Sequence, residues 1–139
     1  MNFKRILFII TASATAALLN AQNIQNQSNN ESRLVAASEI LKPGANEIAI
    51  FTRGAICGSC GVGIRIQLSK LDGVDKKKYK KGILLDAENQ LTVLAFEEGV
   101  EPDLNKIFQA IYDAGYDPMN YYQHTGQTVE LIDYTFTEK

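Results

Sequence analysis

Two helical stripes constrain this chain more than any other feature. The first runs from Cys60 through Ile64 and Leu68 to Leu71, at spacings of four, four and three, and Asp72-Gly73 stops it. The second is Leu104, Ile107, Phe108 and Ile111, entered with Pro102 in the first turn and Asp103 near the positive helix start, and ended at Gly115. Strand-like runs flank them. Glu47 to Thr52 precedes the first stripe. Lys77 to Leu85 and Gln90 to Phe96 lie between the two, joined by a turn over Asp86 to Asn89. Tyr121 to His124 and Thr128 to Phe136 follow, around a turn at Thr125-Gly126-Gln127. Strand, helix, strand, strand, helix, strand is a split βαβ order. The expected fold is therefore α+β, a ferredoxin-like βαββαβ sandwich with both helices on one face of an antiparallel sheet and an extra C-terminal strand.

This pattern fills only part of the 139 residues. Lys4 and Arg5, an apolar run from Ile6 to Leu19, and Leu19-Asn20-Ala21 read as a signal peptide over residues 1–21, so the chain is expected to be exported, with the periplasm as its location. The run is short and Ala-rich for the alternative, an uncleaved membrane anchor. Residues 22–45 read as a flexible spacer. Gln22 to Ser32 is rich in Asn and Gln, and a short helix over Arg33 to Leu41, with Leu34, Val35 and Ile40 apolar, ends at Pro43-Gly44. The folded domain is expected over residues 46–139. The net charge is -2, and without Lys4 and Arg5 twelve basic groups face 16 acidic ones. Such a balance excludes a broad basic face, so no nucleic-acid partner is expected.

The chemistry concentrates in Gly54-Ala55-Ile56-Cys57-Gly58-Ser59-Cys60. Here a strand hands over to a helix, with Cys57 in the loop and Cys60 in the first turn. Unpaired backbone N–H groups and the helix dipole favour negative charge at that point, and thiolates are the metal-binding form. Gly54 and Gly58 let the loop bend so that the sulfurs converge. Two thiolates select soft ions such as Cu(I) and fill a near-linear site. A structural zinc site wants four ligands, and the sequence offers one His, His124, and no third Cys. Oxygen-seeking calcium and magnesium are not favoured.

Residues Gly54 to Val74 resemble the metal-binding stretch of the heavy-metal-associated domain family, which includes copper chaperones, the N-terminal domains of copper-exporting ATPases and periplasmic mercury-binding proteins. Gly54, Cys57 and Cys60 match its Gly and Cys-x-x-Cys. Ile64, Leu68 and Leu71 match its helix, and Gly73-Val74 its closing pair. Ala114-Gly115-Tyr116 resembles the family's Gly-Tyr, whose ring lies close to the metal loop in bacterial copper chaperones. The resemblance covers about residues 46 to 124. It implies a non-enzyme that binds Cu(I) through Cys57 and Cys60 for trafficking or detoxification, with Hg(II), Ag(I) and Zn(II) as other candidate ions. The implied partners are a metal-transporting membrane protein or another Cys-x-x-Cys domain, and the implied state is a monomer or a metal-bridged dimer. Three departures stand out: Ala55 where the family carries Met, Gly61 and Gly63 where it has better helix formers, and a longer Asp75 to Gly82 segment holding Lys76, Lys77, Lys78, Lys80 and Lys81.

Other readings compete. Cys57 and Cys60 also suit a disulfide in an exported chain. A periplasmic thiol–disulfide oxidoreductase would use the same pair, with Pro102 opposite it, although Pro102 suits a helix first turn and no aromatic precedes Cys57. A metal-independent interaction module is the third alternative. Tyr116 reads equally as a core aromatic, Met119 as an ordinary residue or a thioether near the loop, His124 as a solvated strand residue, and the lysine run as a solvated strand edge.

Overall fold

The computed structural model describes residues 29–59 and 61–138. The chain separates into two units, Met1–Ser32 and Arg33–Lys139. In the first, residues 29–32 are helical. The signal peptide expected over residues 1–21 and the first residues of the expected spacer lie outside the described residues. The second unit holds α1 (residues 33–40), β1 (Glu47–Arg53), α2 (Gly61–Leu68), β2 (Ile83–Asp86), β3 (Leu91–Ala95), α3 (Leu104–Asp113), β4 (Asp117–His124) and β5 (Val129–Ile132). The strands form one sheet in the order β2-β3-β1-β4-β5, and every neighbouring pair is antiparallel. With α2 joining β1 to β2 and α3 joining β3 to β4, this is the expected ferredoxin-like arrangement, and β5 is the extra C-terminal strand. No helix among the described residues is long and apolar enough to cross a membrane.

Alternation along β1 divides the interior into two layers. Ile48 and Ile50 face α2 and α3, meeting Ile64, Leu68, Ile107, Phe108 and Ile111. Each such fully buried side chain is worth roughly 1.5–3 kcal/mol of transfer free energy. Ala49 points the other way, into a second cluster with Leu91, Val93, Tyr122 and Val129, and this face is covered by Ala37 and Leu41 at α1 and its end. The folded body therefore begins at Arg33 and not at Asn46, and residues 33–45 are not a spacer. Ala37 and Leu41 lie one turn apart on one side of the helix and are fully buried, whereas Val35 is 56% exposed. Burial on both faces also explains why β3 is apolar at nearly every position: all five of its residues are buried.

Five boundaries differ from the sequence expectation. α2 ends at Leu68, ahead of the expected Leu71. Lys77 to Gly82 is not strand, because Tyr79, Lys81 and Gly82 have φ of 52°, 59° and 84°. Pro102 lies outside α3, whose N-cap is Asp103, with its carboxylate accepting from the Lys106 amide at 3.2 Å. β4 starts at Asp117, ahead of the expected Tyr121, and tolerates Pro118 beside a bulge, where pairing to β1 shifts between Ile50 and Thr52. β5 ends at Ile132. Beyond it Tyr134 and Phe136 cross α3 as an aromatic strap, their ring centroids 4.6 and 6.0 Å from that of Phe108.

Candidate metal site

Register places the cysteine loop at one end of the sheet. β1 ends at Arg53, beside Asp117 at the start of β4, and these two side chains form an exposed ion pair. α3 ends at this same end, and Gly115, with φ of 90°, turns the chain back so that Tyr116 meets the loop. A Cβ on Gly54 would stand 3.7 Å from Tyr116 Cδ1. The ring thus lies against the loop, where the resemblance puts it.

The loop is fastened from below. The Thr52 amide donates to the Gln90 carbonyl at 2.8 Å, and the Gly54 amide donates to Gln90 Oε1 at 2.8 Å. Ala55 donates its amide to the Thr52 carbonyl at 3.2 Å and is buried in the core cluster. Beneath it Thr52 and Thr92 are fully buried, with their hydroxyls 2.9 Å apart. That pairing satisfies polar groups that would otherwise be stranded in the interior. From this base Ile56, Cys57, Gly58 and Ser59 rise into solvent. Cys57 Sγ lies 3.4 Å from Ser59 Oγ. Cys57 is disulfide-bonded. The other cysteine of the sequence, Cys60, lies outside the described residues.

α2 begins hard against β2. A Cβ on Gly61 would fall 1.9 Å from Leu85 Cδ1, the end of a side chain that would have to turn aside, so the residue that looks like a poor helix former lets Leu85 pack against the helix start. One turn later Arg65 folds back over Gly61. Its Nε is buried with no hydrogen-bond partner. Arg65, Cys57, Gly58, Leu85 and Asp86 line a small cavity of about 60 Å³.

The other candidates sit elsewhere. His124 is at the opposite end of β4, next to Gln123, which pairs with Ile48, and its Nδ1 accepts from the Gly126 amide at 3.0 Å. Met119 lies at the β4 bulge and is 37% exposed. Pro102 precedes α3 at the end of the sheet where β1 begins, away from Cys57. The lysine run is no strand edge: Lys78 and Tyr79 fold onto Glu47. Among the described residues no group of three or more His, Cys, Asp and Glu side chains is placed to hold an ion. Gln90, the Thr52–Thr92 pair and Arg65 escaped the sequence reading. A Gln with φ of 55° carries no sequence signal, and a helical Arg reads as a solvated residue.

Fold and site together define a ferredoxin-like α+β domain with a Cys-x-x-Cys loop at its first strand-to-helix junction. No protein-family model matches the chain, and no curated protein matches it. Among solved structures it is similar to a CopZ metallochaperone, with 22% identity over 52% of this chain and 97% of that one and a TM-score of 0.43. It is also similar to the yeast copper transporter domain CCC2A, solved in apo and Cu(I)-loaded states, with 26% identity over 53% of this chain and 92% of that one and a TM-score of 0.42.

Proposed function

We propose that this domain binds Cu(I) between Cys57 and Cys60 outside the cytoplasm and passes it to another Cys-x-x-Cys domain or a metal-transporting membrane protein. The observation that carries the reading is the setting of Cys57: an exposed sulfur in a loop pinned by Gln90 and Ala55 at the mouth of a helix. A rigid base with an open top suits a cargo ion that must be both held and surrendered. Exchange with an external dithiol, which is itself oxidised to a disulfide, supplies the two electrons and two protons that convert the disulfide to the thiol pair, and the ion then displaces two protons. An incoming thiolate can add as a third ligand before one original bond breaks, so transfer needs no aquated ion. The protein acts as a binding partner and not as an enzyme.

The test is a Cu(I) titration of the reduced chain against a competing chelator, with Cys57→Ser, Cys60→Ser as control. Tight one-to-one binding is expected, and it should be lost in the double variant. Unchanged affinity in that variant would end the proposal. Export rests on the leader-like N-terminus, and N-terminal sequencing of the recovered protein checks it. A start at Gln22 is expected, and an intact Met1 start on cytoplasmic protein would remove that half of the reading.

A further inference from the structure

Among the residues lining the cavity beside Cys57, Arg65 alone is cationic. Its position is built into the helix. Gly61 and Arg65 are one turn apart on the same face of α2, and a Cβ on Gly61 would lie 3.4 Å from Arg65 Nη1. The guanidinium therefore lies over the helix start, next to the loop. Its Nε is buried and unpartnered, a donor aimed at nothing in the oxidised protein. The cavity's acidic member, Asp86, forms no ion pair with it. Asp86 Oδ1 accepts from the Asn89 amide at 3.1 Å and Oδ2 from Asn89 Nδ2 at 2.7 Å. Among the described residues Arg65 forms no ion pair.

A cation that lines the cavity beside Cys57 and forms no ion pair matters because the candidate cargoes differ in charge. When two thiols bind a monovalent ion and release two protons, the complex carries one negative charge. When they bind a divalent ion and release the same two protons, the complex is neutral. A neighbouring guanidinium stabilises the first product and has little effect on the second. We propose that Arg65 selects ions by charge, favouring monovalent soft ions such as Cu(I) and Ag(I) over divalent Hg(II). The proposal rests on metal binding by Cys57 and Cys60.

The test offers Ag(I) and Hg(II) together to the reduced full chain, buffered by excess glutathione. Native mass spectrometry reads the ratio of the two complexes. Arg65→Met keeps most of the packing stem and removes the charge, whereas Arg65→Lys keeps the charge. The Ag(I)-to-Hg(II) ratio is expected to fall about tenfold in the Met variant, the effect of one unit charge at short range in a partly solvated site, and to be largely restored in the Lys variant. Both ions displace the same two protons, so altered thiol acidity or a loosened loop cancels in the ratio. An unchanged ratio in Arg65→Met, with both affinities falling together or neither moving, would overturn charge selection and leave the metal site standing. If the wild-type chain takes up neither ion, the metal-binding reading fails, and this proposal with it.

Discussion

At the end of the sheet where β1 begins, Glu47 is 3% exposed and accepts from Lys78 Nζ at 2.9 Å and Tyr79 OH at 2.6 Å. At the end where β1 leaves, Cys57 and its neighbours stand in solvent. The same residue types serve opposite purposes at the two ends. Gly73 and Gly82 at the closed end admit neighbours that a side chain would strike: a Cβ would come within 2.4 Å of Val100 Cγ1 and 2.3 Å of Val74 Cγ1, respectively. Asn46 completes the closure, its side-chain amide donating to the carbonyls of Glu97 at 2.9 Å and Val100 at 2.7 Å. Gly54 at the open end meets only Tyr116 at 3.7 Å, and Gly58 meets nothing within 4 Å. Gly54 and Gly58 there supply conformation and leave room around the sulfur, whereas Gly61 behind them packs against Leu85. Buried polar contacts gather at one end, and the exposed cysteine loop stands at the other.

Substituting glycines at the two ends should sharpen that contrast most. Gly73→Ala combines a left-handed backbone, at φ of 78°, with a clash against a β-branched side chain, so a loss of about 2–5 kcal/mol is expected. Gly54→Ala carries the backbone penalty alone, about 1–2 kcal/mol. Urea unfolding of both variants measures the difference, and equal losses would show that the closed end is not the tighter one.

A smaller effect is expected from Tyr79. Burial, then its hydrogen bond to Glu47, then the Glu47 charge, raise its hydroxyl well above the ordinary value of 10.0. A raised folded-state value contributes stability that is fully present below pH 10 and is lost as pH climbs toward the raised value. Tyr79→Phe should cost about 1 kcal/mol at neutral pH through the lost hydrogen bond. It should also fall less steeply in urea midpoint than wild type above pH 10. Tyr112, Tyr121 and Tyr122 are raised as well, so the difference between the two curves is the readout, and parallel curves would detach Tyr79 from the closure.

Legibility in the sequence followed the range of the interactions. The stripes of α2 and α3 were readable because a helix repeats its buried face every three or four residues, and Ile64, Leu68, Ile107, Phe108 and Ile111 all proved buried. Tyr116 was readable through resemblance alone, since nothing local marks a ring that approaches a glycine 62 positions earlier. Lys77 to Gly82 misled because its composition allows a strand, while a long-range pull toward Glu47 and positive φ values decide otherwise. Residues 33–41 misled for a related reason. A short amphipathic helix after a polar stretch looks dispensable until the sheet is known to have a second apolar face.

By itself the sequence determined the order of strands and helices, the position of both cysteines at a strand-to-helix junction, and hence the fold class. Those depend on periodicity and on residue neighbours within one or two turns. Only the tertiary structure decided that α1 belongs to the core, that Gln90 fastens the loop, that Gly61 makes room for Leu85, and that an unpaired Arg65 stands beside Cys57. Each of these joins residues distant along the chain or turns on an orientation set by packing, and neither is encoded in local pattern.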